Sequence, residues 1–267
     1  MKRILVTFGG KCYDATIGKT AEAATKLGAD EFWCYDDKWL LEHDFYRLNK
    51  WLWNYPEGLH PASPRAPRGM GWFCWKPFVI MQALEHCQPG DVVCYVDADT
   101  YPIANFSCLY DICARDGGIM LFAAQGHGHE KWCKRDCFMV MGQDEEKWRF
   151  TQAGVARFML FQKGPWLVTQ FLCEWLAYCL NKPAQTFEPS TYAPEYPELS
   201  QHRTEQAIMT NLAHKYGLRL YREACQFGDG ALAEGVDADL YPTLFHQVGK
   251  VGNRADYSGS AYRNIPV

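Results

Sequence analysis

No apolar stretch in the 267 residues approaches the roughly 18 needed for a membrane-crossing helix, so no membrane span is expected. The apolar run Ile4–Phe8 behind Met1-Lys2-Arg3 is too short for the core of a secretory leader, and a reduced, cytoplasmic setting is the expectation. Cys-x-x-Cys is also missing. Cys133 and Cys137 are four apart with no second Cys/His pair at zinc spacing, which argues against a structural zinc. Cys94, Cys173 and Cys179 sit in apolar runs, where a thiol behaves as a small hydrophobe. Positive charge is short as well. With 27 Lys+Arg against 31 Asp+Glu, the net charge is −4 and no global field would hold a nucleic acid. After Gly9-Gly10 no Gly-Lys-Ser/Thr follows, so the first loop is not a P-loop.

What is present is a large apolar and aromatic fraction. At 48% hydrophobic residues the chain can bury a core, which excludes wholesale disorder. The length suits one domain over 1–267, with no linker and no repeat. Ten Trp stand beside 15 Tyr and 15 Phe, and six of the Trp fall between Trp33 and Trp75. Trp33 and Trp75 suit packing. Trp51, Trp53 and Tyr55, beside a Pro-rich stretch, suit the wall of a sugar or acceptor groove, so residues 51–75 are expected to border a cleft.

Along the chain, Ile4–Phe8 predicts a buried strand, 17–27 a helix closed by Gly28, and Glu31–Tyr35 a second strand. Residues 54–71, with Pro56, Pro61, Pro64 and Pro67, predict a loop. Residues 77–86 predict a helix with Pro77 in its first turn, and 91–96 a central strand. Residues 118–124 and 137–141 are further strand candidates, and 165–180 and 205–216 are helices. Residues 183–200 form an ordered surface loop. Strand–helix–strand alternation in the first hundred residues predicts an α/β fold with a mostly parallel, mixed central sheet flanked by helices.

The most informative segment is Val92-Val93-Cys94-Tyr95-Val96-Asp97-Ala98-Asp99. Ligands of open α/β sheets bind beyond the carboxyl ends of strands. Two Asp flanking one small residue on an extended chain point the same way, about 7 Å apart. Such a pair offers hard oxygens to a divalent cation, which leaves positions for water and phosphate oxygens. The same tripeptide recurs at Asp237-Ala238-Asp239, but only a Gly-Val pair precedes it, and a solvated turn is the better reading there.

Tyr95-Val96-Asp97-Ala98-Asp99-Thr100 resembles the metal motif of GT-A fold glycosyltransferases, especially those of family 8. Three later segments resemble that family's motifs in the same order: Phe150–Val155, with Gln152 where Asn is usual; Glu205–Asn211, with Glu205 replacing Asp; and Phe245–Lys250. Gly69–Pro77, Lys134-Arg135-Asp136 and His202-Arg203 resemble a related branch of GT-A enzymes that carries a Trp-Lys-Pro box.

The resemblance implies a Rossmann-like GT-A domain with a nucleotide-binding half (1–115) and an acceptor-binding half (116–267). It implies a hexosyl- or pentosyltransferase moving sugar from a nucleoside-diphosphate sugar, UDP-sugar favoured, to a hydroxyl of a glycan or polysaccharide, with retention favoured. Mn²⁺ or Mg²⁺ would be held by Asp97, Asp99 and His246. Thr7, Phe8, Gly9 and Gly10 would hold the nucleoside and Tyr13 stack on the base. Tyr95 and Ala98 would flank the donor. Lys76, Gly249 and Lys250, with Lys134 and Arg135, would meet the diphosphate. Glu205, Gln206, Gln152 and Asp136 are the catalytic candidates: Glu205 or Asp136 as a base or charge stabiliser, Gln152 on sugar hydroxyls. Two other classes compete. A haloacid-dehalogenase-like phosphohydrolase also uses Asp-x-Asp after a strand, but wants Thr or Val where Tyr101 stands. The other is a non-catalytic carbohydrate-binding relative.

Overall fold

The computed structural model describes residues 1–10, 13–53, 70–229 and 240–248. Its architecture follows from how the first strand divides its side chains. In β1 (Arg3–Phe8), Ile4, Val6 and Phe8 join one buried cluster while Leu5 joins another on the opposite face. A strand buried on both faces must be covered on both, and helices do this. The elements α1 (Asp14–Ala24), β2 (Glu31–Tyr35), α2 (Asp37–Glu42), α3 (Asp44–Leu48), α4 (Trp75–Glu85) and β3 (Val92–Asp97) follow in chain order. Then come β4 (Thr100–Pro102), α5 (Ser107–Arg115), β5 (Ile119–Gly128), α6 (Arg135–Val140), α7 (Glu146–Arg149) and β6 (Gln152–Gln162). The rest are α8 (Trp166–Cys179), α9 (Lys182–Gln185), α10 (Glu205–Lys215), β7 (Leu220–Tyr221) and β8 (Phe245–Gln247).

Six strands form the central sheet in the order β2-β1-β3-β6-β5-β7, and β4 and β8 form a small antiparallel pair. Only β6 runs against its neighbours, so the sheet is mixed and mostly parallel, as the alternation predicted. Side chains of α4, α8 and α10 share one cluster with Ile4 and Val6; those of α1 and α5 share the other with Leu5. From β1 the chain goes to β2 on one side and then to β3 on the other. The strand order therefore reverses between β1 and β3, and ligands of open α/β sheets bind outside the carboxyl ends of the strands at such a point.

Several boundaries move. The first helix starts at Asp14 rather than 17, with that acidic side chain in its first turn, and ends at Ala24, ahead of Gly28. The fourth starts at Trp75, so Pro77 stands in its first turn as expected. Residues 137–141 are not a strand: Arg135–Val140 is helical, with Cys137, Phe138 and Met141 buried at helical spacing. A short apolar run carries no period that separates strand from buried helix. The long strand β6 was not foreseen for a related reason, since it is buried on both faces and shows no alternation. The 183–200 segment opens with one helical turn, then runs without regular structure.

Candidate functional site

Val92–Asp97 is extended, but residues 98 and 99 form a turn before β4 begins. The two carboxylates therefore do not share one extended face, and each meets its own partners. Asp97 Oδ1 accepts from Tyr95 Oη at 3.0 Å and lies 3.0 Å from Lys76 Nζ. Asp99 Oδ1 accepts from Thr100 Oγ1 at 3.1 Å, and its Oδ2 from Gln247 Nε2 at 2.9 Å. Burial, and then the neighbouring Asp97 charge, raise the Asp99 carboxyl above its ordinary range.

Lys76 is only 3% exposed although it stands in the first turn of α4. Its Nζ also contacts Glu205 Oε1 at 3.1 Å and donates to Ala156 O at 2.9 Å. Burial opposes the ammonium charge, but Asp97 and Glu205 together outweigh it and hold the lysine above its usual value. Glu205, also 3% exposed, has its carboxyl raised by burial, with Lys76 and a 2.6 Å hydrogen bond from Thr204 Oγ1 opposing. Trp175 Nε1 fixes the Glu205 carbonyl at 2.8 Å.

Backbone strain flanks both ends of this trio. Ahead of Lys76, Gly71, Trp72 and Phe73 stand in the left-handed region at φ 59°, 55° and 60°. Trp72 is held there by a 2.7 Å hydrogen bond from Gln185 Nε2 to its carbonyl. Ahead of Glu205, Thr204 has φ 47°. Non-glycine residues in such conformations cost roughly 1–3 kcal/mol each and persist where the surroundings over-determine them, as at functional sites.

The first loop meets the acidic turn at Gly9. A Cβ there would lie 2.6 Å from Ala98 Cβ and 3.0 Å from Ile17 Cδ1, so only glycine fits. Thr7 Oγ1 is committed to Val96 O at 2.9 Å, and Phe8 is buried and stacked on Trp75 at 3.9 Å. These two side chains tie β1 to β3 and α4. Tyr13 packs half-buried against the second cluster. Tyr95 is fully buried and meets the site through its hydroxyl on Asp97 and its ring, whose centroid lies 5.8 Å from Lys76 Nζ.

Other sequence candidates have different tasks. Asp136 accepts from Thr191 N, Thr191 Oγ1 and Tyr192 N at 2.8, 3.1 and 2.9 Å, so it anchors the 190–192 segment rather than standing ready as a base. Gln152 Nε2 donates to the carbonyls of Ala124, His127 and Ala153 and pins the irregular end of β5. Gln206 is half-buried on α10, beside Glu205. Lys134 Nζ donates to Glu188 O at 2.9 Å, and Arg135 pairs with Asp144 at 3.1 Å, both away from the acidic turn. Trp51 and Trp53 pack partly buried against the core, with Trp53 edge-on to Phe45 and Tyr46. Trp33 and Trp75 are buried, as expected. Tyr55, Asp237, Asp239, Gly249 and Lys250 lie outside the described residues.

The expected third metal ligand is not brought in. Tyr101 pairs with His246 across β4 and β8, and the two rings lie 5.5 Å apart. Among the described residues no three His, Cys, Asp or Glu side chains converge as a metal set. The residue that reaches Asp99 is Gln247, one position on, whose side chain projects to the other face of the strand. Behind Gln247 stands Arg157 on β6, with Nη1 hydrogen-bonded to Gln247 Oε1 and Nε 3.1 Å from Glu223 Oε1. Neither Gln247 nor Arg157 carried a sequence signal, because their meeting depends on the β4–β8 register.

No protein-family model and no curated relative matches the chain. Solved structures do. Mouse xyloside xylosyltransferase 1 in its apo form is 13% identical, covers 93% of this chain and 97% of its own, and has a TM-score of 0.47. The apo WbbM bifunctional glycosyltransferase is 10% identical over 79% of this chain, with a TM-score of 0.42. The match takes in only 37% of that protein's length.

Proposed function

We propose that the chain is a glycosyltransferase, moving a sugar from a nucleoside-diphosphate sugar, a UDP-sugar favoured, to a hydroxyl of a glycan or polysaccharide acceptor. The observation that carries this reading is the buried Lys76 ammonium bridging Asp97 and Glu205 at the carboxyl end of β3, where the strand order reverses. An ionisable trio in a low-dielectric site, flanked by strained backbone, suits a reaction in which charge develops at two centres. In sugar transfer those are the departing diphosphate and the anomeric carbon. The bond between that carbon and the diphosphate oxygen breaks, its electron pair leaves with the diphosphate, and the acceptor oxygen forms the new bond while its proton passes to the departing diphosphate oxygen.

Each residue has a task in this scheme. Lys76 is the fixed positive charge next to the leaving group. Glu205, held by Lys76 and Thr204, sets a carboxylate against positive charge at the anomeric carbon. Gln206, beside it on α10, is proposed to meet the sugar or acceptor. Gly9 lets the first loop approach the donor closely, with Tyr13 beside it for the base. The nucleotide would then lie on the 1–115 half and the acceptor on the 116–267 half.

The donor chemistry of Asp97 and Asp99 fits a hard divalent cation, Mn²⁺ or Mg²⁺, as two of its ligands, with water and diphosphate oxygens as others. Such a cation, when bound, neutralises the leaving diphosphate. Retention is supported because both carboxylates considered as an inverting base are engaged: Glu205 with Lys76, Asp136 with the 191–192 backbone.

The test is a panel of nucleotide sugars incubated with the purified protein, with and without Mn²⁺. Hydrolysis or transfer that requires the cation, and that falls roughly 10²–10³-fold in Asp97→Ala, is expected. No turnover of any donor, or phosphate release from a simple phosphomonoester instead, would overturn the reading.

A further inference from the structure

Gln247 is held from every side. Its backbone N donates to Gln226 Oε1 at 3.0 Å, and its backbone O accepts from Gln226 Nε2 at 2.8 Å, so one side-chain amide pairs it as a neighbouring strand would. On its other edge it pairs with Thr100 of β4, and the next residue, Val248, donates its N–H to Asp99 O at 2.8 Å. Its own amide then spans Arg157 and Asp99.

The orientation of that amide is chemically determined. A guanidinium has only donors, and an ionised carboxylate only accepts. Gln247 must therefore turn Oε1 to Arg157 and Nε2 to Asp99. Arg157 is itself fixed, since its Nε is bound by Glu223, whose side chain is 3% exposed, and the Phe227 ring lies 5.3 Å from its Cζ. A guanidinium bonded directly to Asp99 would cancel the charge that a cation needs. An interposed amide fixes the carboxylate by a hydrogen bond and leaves its charge in place.

We propose that Arg157 and Gln247 form a relay that positions Asp99 for a divalent cation, with Arg157 acting only through the Gln247 amide. This rests on the cation reading of the preceding section. Groups that orient a ligating carboxylate typically contribute about 10–100-fold in metal affinity.

The experiment titrates Mn²⁺ alone into the full chain and follows loss of the free-ion EPR signal, with thermal melts confirming that each variant is folded. Arg157→Met is made together with Glu223→Gln, so that no buried carboxylate loses its partner, and Glu223→Gln alone is its reference. Gln247→Leu leaves the Arg157–Glu223 pair intact. Each is expected to weaken Mn²⁺ about 10-fold or more. The combination should be no weaker than Gln247→Leu alone, because one relay cannot be broken twice. Additive losses, or undiminished affinity in Gln247→Leu while Asp99→Ala loses the ion, would overturn the relay and leave the cation reading standing. No uptake by the unaltered protein would overturn both.

Discussion

Lys76 shows most directly how single side chains make this site. Two carboxylates, one buried and one partly buried, face one buried ammonium, and each partner makes the others tolerable. Removing the cation alone, in Lys76→Met, should cost about 3–5 kcal/mol of stability, because it strands two desolvated charges. Adding Asp97→Asn and Glu205→Gln should recover much of that loss. Urea denaturation of the parent, of Lys76→Met, of Asp97→Asn with Glu205→Gln, and of all three changes together checks it, and equal destabilisation with and without the neutralised carboxylates would refute the coupling. Gly9 makes a second case. Gly9→Ala drives a methyl into Ala98, with an expected cost of about 1–3 kcal/mol. Ala98→Gly in the same chain removes the nearest clash and should restore part of it, though Ile17 still presses on the new methyl. Denaturation midpoints of both variants decide the matter. The acidic pair and Gly9 were legible because their residue types are unusual where they stand. Gln247 and Arg157 were not, since Gln and Arg are ordinary surface residues until a register brings them to Asp99.

Among the elements, the segment after α9 depends on a carboxylate from another part of the chain. Asp136, 1% exposed, holds two backbone N–H groups and a hydroxyl at 191–192, and Ser190 Oγ in turn accepts from Asp136 N at 3.0 Å. Asp136→Ala leaves those N–H groups without their acceptor, at roughly 1–3 kcal/mol. Hydrogen exchange at 190–192 should speed up far more than exchange in β1 or β3. Uniform acceleration would mean global rather than local loosening. A general base in this position would instead abolish turnover while leaving exchange unchanged. The element-level reading of the sequence succeeded where period or punctuation was strong, as in β2 and α8. It failed at 137–141, where five apolar residues fit a strand as well as a buried helix, and at β6, where burial on both faces erased the alternation. The resemblance assigned the third ligand to His246; the β4–β8 register pairs that residue with Tyr101 and brings the Gln247 amide to Asp99.

The whole molecule carries histidines that its folded state keeps neutral. His202 is 4% exposed; its Nδ1 accepts from Lys134 N at 3.2 Å, and its Nε2 donates to Ala184 O at 2.8 Å. His129 is fully buried, with Nε2 2.8 Å from Asn211 Oδ1. Burial brings both down to about 3, helped at His202 by the Lys134 charge and opposed at His129 by its Asn211 hydrogen bond. In the unfolded chain each returns to about 6.5. Below that value the unfolded state binds protons that the folded state refuses, so stability is fully present above about pH 6.5 and falls as the pH drops toward 3. Between pH 7.5 and pH 5 each histidine should remove on the order of 2 kcal/mol. His202→Gln is the informative variant. An amide can accept from Lys134 N and donate to Ala184 O without titrating, so the variant should lose less stability than the parent over this interval. Urea melts at the two pH values measure the difference directly. An identical loss in both proteins would mean that His202 already carries its proton in the folded state, and that the acid limb of the stability curve belongs to other groups.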